Sequence, residues 1–370
     1  MQLIKSGIIV LLMCLQTMAY NQAQEISFSS SNWRFGNEKH RIESYKGKEC
    51  LYMEPGFAVY EGFQFKNGII EYDLSFSNTR QFTGVVFRRE NDTNYEEFYV
   101  RPHQSGKPDA NQYTPVFNGL SGWQLYHGEG HGAPYTYKFD EWIHVKLIVL
   151  EERMEVYIDD MTNPLIYVPE LKRATRTGEI GFTTNRSFVR LANLRVTPSD
   201  AVQLKTPAKP LPSPEPGTIT TWQVSDLVSP AKMVDQAQQQ SLDPSSLNWK
   251  SLDVEYTGTL NLAKTGPRTE EKNAVFTKFE LSSDRAQSKP FHFGYSDKVH
   301  VFCNGQLLYA GDNTYRSRDF RYLGTIGYFD TVYLPLKEGN NEIWLLVTEA
   351  FGGWGVRGKF DDMKGLQLKP

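Results

Sequence analysis

The stretch Asn94–His127 gathers side chains able to hold or act on a polar ligand. Its first part, Asn94-Tyr-Glu-Glu-Phe-Tyr-Val-Arg-Pro-His103, reads as a strand. Successive strand side chains point to opposite faces, so Tyr95, Glu97, Tyr99 and Arg101 share one face and Glu96, Phe98 and Val100 the other. Phe98 and Val100 suit a core. The opposite row offers two phenols, a carboxylate and a guanidinium, a mixture suited to a polar, ring-shaped ligand. A Gly/Pro/Asn-rich loop follows and brings Tyr113, Trp123, Tyr126 and His127; loops on a rigid sheet are where binding groups tend to sit. Grouped with Arg88 and His103, the candidate ligand-binding set is Arg88, Glu97, Tyr99, Arg101, His103, Trp123, Tyr126 and His127. Aromatic faces stack on pyranose rings, and charged groups bond strongly to hydroxyls or carboxylates. Two arginines beside tyrosines suit a uronic acid or a sulfated sugar. If the chain is an enzyme, Glu97, Tyr99, Arg101 and His103 are its candidate catalytic groups, because Tyr or His can remove a proton beside a carboxylate. The plainer alternative is that these Arg and Glu residues form cross-strand ion pairs.

The elements that must carry this set are short alternating segments broken by turn residues: Gly68–Phe76, Phe82–Arg89, Trp142–Leu150, Arg153–Ile158, Pro164–Tyr167, Gly178–Phe182 and Val189–Val196. Glu151-Glu152 has the spacing of a two-residue hairpin turn. Many short strands with regular turn signals predict an antiparallel sandwich. Over 199–217, Pro207, Pro210, Pro212, Pro214 and Pro216 form a run that favours polyproline II and predicts a stiff spacer. Beyond it, Ala274–Leu281, Lys298–Cys303, Gln306–Tyr309, Thr331–Leu336 and Asn341–Val347 read as strands, with Asn304-Gly305 as a strong hairpin signal. Gln236–Gln240 is the one stretch with helical composition. The expected fold is all-β: two antiparallel β-sandwich (jelly-roll) domains, 24–198 and 218–370, joined by the Pro-rich linker 199–217.

Composition narrows the function classes. With a formal net charge of -3 and pI near 6.2, nothing points to nucleic acid or an anionic membrane. The start has a basic Lys5, an apolar run from Gly7 to Leu15 too short for a bilayer, and small residues at Thr17-Met-Ala19. It reads as a secretory signal peptide over 1–23, implying export to the periplasm or beyond the cell. Met13 before Cys14 argues against a lipid anchor, and no later stretch predicts a membrane span. Cys50 and Cys303 remain, and are expected to be small buried hydrophobes rather than a disulfide scaffold.

Two resemblances follow from these segments. Gly68-Ile-Ile-Glu-Tyr-Asp, Gly84-Val-Val-Phe-Arg, Trp142-Ile-His-Val-Lys, Met154-Glu-Val-Tyr-Ile-Asp and Gly178-Glu-Ile-Gly-Phe resemble the concanavalin-A-like lectin/glucanase superfamily in its laminin-G-like form, over about residues 26–198. The resemblance implies a curved two-sheet sandwich whose concave sheet binds sugar. The superfamily hosts lectins, hydrolases and lyases alike. Its glucanases carry a Glu-x-Asp-x-x-Glu type motif with the acids on one face. Here Glu71 and Asp73 alternate without a third acid, and the adjacent Glu96 and Glu97 face opposite ways. That departure counts against a hydrolase. Phe302-Cys-Asn-Gly-Gln-Leu and Leu336-Lys-Glu-Gly-Asn-Asn-Glu-Ile resemble the galactose-binding-like jelly roll appended to carbohydrate-active enzymes, over about residues 220–365. In such modules sugars bind at loops on one end, which selects Arg316, Arg318 and the glycine-cushioned Trp354 as further ligand-binding candidates. The alternative is that these loops form an interface, which also favours Arg, Tyr and Trp.

Metal readings are weaker. His127-Gly-Glu-Gly-His131 is a flexible loop without preset metal geometry. Asp159-Asp160 with Asn163 is the one candidate structural calcium site, against a simple turn. No other cofactor is expected. The sequence therefore favours an exported, non-catalytic protein that binds a complex polysaccharide, with an acidic one suited to its arginines. A glycoside hydrolase or polysaccharide lyase is the first alternative, and a protein-interaction component of a surface assembly the second.

Overall fold

The computed structural model describes residues 22–36, 39–238, 246–319 and 321–369. All but the last two residues of the expected leader, Cys14 included, lie outside this range, as do Gln239 and Gln240. The chain forms two compact units: Met1–Pro115 with His127–Lys209, and Val116–Tyr126 with Pro210–Pro370. The strands pair antiparallel throughout, and each unit is a two-sheet sandwich.

In the first unit, one sheet runs Ile166–Val168, Arg153–Ile158, Ile143–Leu150, Gly68–Ser75, Val189–Pro198, Lys48–Met53, His40–Tyr45, with Gln24–Glu25 also paired to Val189–Pro198. The other runs residues 111–115 of the strand Asn111–Phe117, then Asn94–Val100, Phe82–Asn91, Gly178–Asn185, Gly56–Phe65, Trp33–Phe35. Alternation decides the inner faces. In Ile143–Leu150 the residues 143, 145, 147 and 149 are buried and those between them are not. Phe98 and Val100 meet them from the opposing sheet in one core; each such fully buried side chain stabilises by about 1.5–3 kcal/mol. Glu151-Glu152 makes the expected two-residue turn, since Leu150 pairs with Arg153 and Glu151 adopts a left-handed φ of 51°.

Arg88 is not where the sequence placed it. The register between Phe82–Asn91 and Asn94–Val100 shifts after Phe87, and Arg88 takes φ 48°. This bulge re-aims the side chain. Its guanidinium is fully buried; Nε donates to the Lys66 carbonyl (2.8 Å), and Nη2 to Asn67 Oδ1 (2.9 Å) and the Glu151 carbonyl (2.6 Å). Arg88 is thus an interior strut rather than part of a ligand face. The beginning of the expected spacer is also tied down: the Lys205 and Thr206 amides donate to the Glu155 carboxylate at 3.0 and 2.6 Å.

The second unit packs Trp249–Asp253, Thr221–Ser225, Ala274–Ser283, Gly339–Thr348, Lys298–Cys303 and Gln306–Asp312, in that order, against Leu260–Asn261, Gly355–Lys359, Gln287–Ser296 and Asp330–Leu336. Leu366–Leu368 adds to Ala274–Ser283. Asn304 and Gly305 (φ 51° and 82°) form the turn their sequence predicts. A helix, Pro230–Gln238, begins six residues earlier than the composition suggested; Ser229 before Pro230 is a helix-start signal. Val116–Tyr126 belongs to this unit because its apolar residues are covered here. Leu120 packs on the main core, and Leu125 and Tyr126 on Ile326. Cys50 and Cys303 are buried free thiols.

Candidate functional site

On the first unit, the outward face of Asn94–Val100 carries Tyr95, Glu97 and Tyr99, and Arg101 follows. Arg101 and Tyr99 are almost wholly buried, and they spend their polar atoms on each other. Arg101 lies over the Tyr99 ring at 4.7 Å, donates to the Asp109 carbonyl at 3.0 Å, and bonds to Tyr99 Oη and Gln112 Oε1. Tyr99 Oη donates to the same Gln112 oxygen at 3.0 Å. This closed network braces the sheet face and leaves little for a ligand.

Glu97 differs. It stays partly exposed, and Thr183 Oγ1 donates to its Oε1 at 2.7 Å. Thr183 lies two strands away, beyond Phe82–Asn91. Gly84, the residue opposite both Tyr99 and Thr183, has no side chain to block that reach. A Cβ there would fall 2.2 Å from the Phe98 carbonyl and 2.5 Å from Tyr99 Cβ. Burial pushes the Glu97 carboxyl up to about 7. Tyr95 with Phe57 (6.0 Å) and Phe82 with Tyr99 (6.3 Å) supply rings on the same face. His103 sits edge-on to Phe82 at 5.2 Å, its Nδ1 accepts from the Gln81 amide at 3.4 Å, and burial lowers its pKa. Glu96, on the inner face, accepts from Tyr113 Oη (2.8 Å) and the Arg173 amide (3.0 Å), with its carboxyl also pushed up to about 7 by burial.

The loop residues grouped with that face divide between the two units. His127 lies exposed in the first unit. Trp123 and Tyr126 belong to the second. There Tyr126 is buried; its Oη donates to Glu255 Oε1 (2.7 Å) and accepts from Asn261 Nδ2 (3.0 Å). Trp123 meets Tyr315 and Phe351 edge-on, with ring centroids 6.3 and 5.9 Å away, and those two rings are 6.1 Å apart. Phe351 is 58% exposed. The exposed Arg316 guanidinium lies 4.9 Å from the centre of the Tyr315 ring.

A buried amide fixes this cluster. Gln124 is fully buried: its N–H donates to the Gly352 carbonyl (3.1 Å), Nε2 to the Leu323 carbonyl (2.8 Å), its carbonyl accepts from the Ile326 amide (3.0 Å), and Oε1 from Ser296 Oγ (3.0 Å). It thereby pins the loop before Ile326 to the loop after Glu349. Gly352, at φ 105°, permits the contact, for a Cβ would sit 2.5 Å from Gln124 Oε1. Nothing in the local sequence marks Gln124.

Two other candidates take different roles. Trp354 is fully buried in the second core and donates to the Val347 carbonyl at 3.2 Å. It faces inward while Phe351, across the two glycines, faces out. Arg318 is engaged by Asn313 Oδ1 and Asp330 Oδ2. In the first unit, Asp159 accepts from the His144 amide and Tyr135 Oη (3.0 and 2.9 Å), and Asp160 from the Thr162 and Asn163 amides (2.8 and 3.1 Å), the bonding of a turn. Among the described residues no group of three or more His, Cys, Asp or Glu side chains is placed to hold a metal ion, and no helix is long and apolar enough to cross a membrane.

No protein-family model and no curated protein matches the sequence. Solved structures similar to parts of it include a carbohydrate-binding module, CBM66, from Bacillus subtilis (15% identity, TM-score 0.35, covering 45% of this chain and 95% of that one). A β-glucanase from Bacillus licheniformis aligns at 10% identity and TM-score 0.34, covering 48% and 98%. The κ-carrageenase from Pseudoalteromonas carrageenovora aligns at 12% and 0.32, covering 48% and 92%.

Proposed function

We propose that this is an exported carbohydrate-binding protein whose second unit holds a glycan on the Trp123–Tyr315–Phe351 cluster, with Arg316 selecting an acidic one. The observation that carries this reading is three mutually contacting rings, one of them largely exposed, with a solvent-facing guanidinium stacked beside them. Such rings offer flat apolar area to the C–H face of a pyranose without ordering long side chains. Arg316 supplies a charge-assisted bond to a carboxylate or sulfate. Purified protein incubated with neutral and acidic polysaccharides is expected to be retained by the acidic ones, and Phe351→Ala and Arg316→Ala each to lower retention at least fivefold. Retention equal in both variants and wild type, or absent from every polysaccharide, overturns the reading.

Catalysis at the first unit is the second reading, favoured by Glu97. A partly exposed carboxyl titrating near 7 beside aromatic rings is poised as a general acid or base. The same incubations read for new reducing ends and for absorbance of a new C=C bond. Turnover abolished in Glu97→Gln supports the enzyme; no turnover on any polysaccharide leaves binding as the function.

A further inference from the structure

Two buried carboxylates stand at the root of the loops that carry Phe351 and Tyr315. Asp297 follows the strand Gln287–Ser296, and Glu349 follows Gly339–Thr348. Both are fully buried. Asp297 Oδ2 accepts from the Ala350 and Phe351 amides at 2.8 and 2.7 Å. The Asp297 amide donates to the Thr348 carbonyl at 2.9 Å, and its carbonyl accepts from the Asn313 amide at 2.7 Å, two residues before Tyr315. Glu349 Oε1 accepts from the Gly353 amide at 3.4 Å, at the far end of the same loop. Asp297 thus flanks Glu349, bonded to the residue before it and to the two after it.

The charged surroundings are sparse. Among the described residues neither carboxylate has an ion pair, and Glu349 Oε2 is buried with no donor. Arg268 is the cation whose field reaches Glu349, but its Nη2 donates to the Ala350 carbonyl at 3.1 Å and its Nε is buried without an acceptor. Asp312, whose field reaches Asp297, is paired with Lys298 at 3.3 Å. The Tyr322 phenol also faces Asp297 and, raised chiefly by burial, is neutral. Arg318 and Asp330 pair with each other. Two neighbouring carboxylates sealed from water ionise together only at a large cost, so the pair keeps a proton. Asp297 is the anion, because two amides converge on one of its oxygens. Glu349 holds the proton: burial first, then the Asp297 charge, push its carboxyl up to about 8.

We propose that this pair is a proton-operated latch on the loop that carries Phe351: one proton shared by Asp297 and Glu349 keeps Ala350–Gly353 on its carboxylate anchors, and loss of that proton frees the loop. The folded-state value of Glu349 lies above the unfolded one, so its contribution is complete below about pH 4.5 and is lost as pH rises through about 8. A second buried anion then repels the first, and the anchors open toward water. The consequence for ligand binding rests on the glycan reading of the Phe351 cluster; the loop motion does not.

Amide hydrogen exchange of residues 350–353, read by mass spectrometry and corrected for the intrinsic pH dependence of exchange, tests the loop without any glycan. Wild-type protection is expected to fall at least tenfold between pH 7 and pH 9.5, while strands such as Ala274–Ser283 keep theirs. Glu349→Gln, neutral at every pH, should hold its protection flat over that range. Arg268→Gln removes the cation that favours the ionised form, so its loss of protection should move to higher pH; a loop that was merely loosened would lose protection at every pH. Retention on an acidic polysaccharide should fall over the same range in wild type and hold steady in Glu349→Gln. Wild-type protection that stays flat to pH 9.5, or that falls equally in Glu349→Gln, overturns the latch. Protection that falls as stated, with no polysaccharide retained at any pH, upholds the latch and overturns the glycan reading instead.

Discussion

Replacing Glu97 by Gln tests how the first unit handles a buried charge. The Glu97 carboxyl is raised from 4.5 to about 7, chiefly by burial. The fold therefore holds this proton more tightly than the unfolded chain does. The stability linked to it is complete below about pH 4.5 and is lost as pH rises through about 7. The difference of about 2.5 pH units, at about 1.4 kcal/mol each, sets a ceiling of about 3 kcal/mol; solvent contact at Glu97 screens this to about 2 kcal/mol. The substituted amide keeps an oxygen for Thr183 Oγ1 and stays neutral at every pH. Urea unfolding followed by tryptophan fluorescence from pH 5 to pH 8 should show Glu97→Gln matching wild type at pH 5 within about 0.5 kcal/mol and exceeding it by about 2 kcal/mol at pH 8. Glu96 titrates near the same pH in both proteins, so the difference isolates Glu97. Parallel pH slopes, or a variant less stable than wild type at pH 8, would refute the reasoning and make Glu97 a stabilised anion paired with Arg101.

Other outcomes follow from named contacts. Trp354→Ala should cost about 3–5 kcal/mol in urea unfolding by emptying a core site, whereas Phe351→Ala should leave the midpoint nearly unchanged while lowering glycan retention. Gln124→Ala removes the bonds to the Leu323 carbonyl and Ser296 Oγ, so about 2 kcal/mol of stability and part of the retention should go together; full retention would show that the loops hold their places without it. Tyr113→Phe leaves the Glu96 carboxyl and the Lys172 amide without the buried hydroxyl they share, and should destabilise the first unit by about 2–3 kcal/mol by the same unfolding measurement.

Periodicity carried most of the architecture. Strands such as Ile143–Leu150 and Ala274–Ser283 declare themselves because one face must be apolar to meet the opposite sheet. Gln287–Ser296 was equally legible, with Phe291, Phe293 and Tyr295 alternating, yet Pro290 and the absence of a strong turn signal hid it. The fates of individual polar residues were less accessible. Alternation put Arg101 and Tyr99 on the outer face correctly, but whether an outer-face residue meets solvent depends on what lies over it. Here Asp109 and Gln112 close onto Arg101.

Local sequence suffices for the all-β class, the placement of most strands, the Asn304-Gly305 turn and the sugar-compatible residue types, because each of these follows from backbone preference or from two-residue periodicity. Long-range packing selected which of those residues face a ligand. A register shift after Phe87 turned Arg88 into the interior, and two glycines placed Trp354 inside and Phe351 outside. The apolar side chains of Val116–Tyr126 found their cover in the second unit and took Trp123 there with them. These outcomes depend on contacts between segments far apart in the chain, and local sequence does not encode where such partners meet.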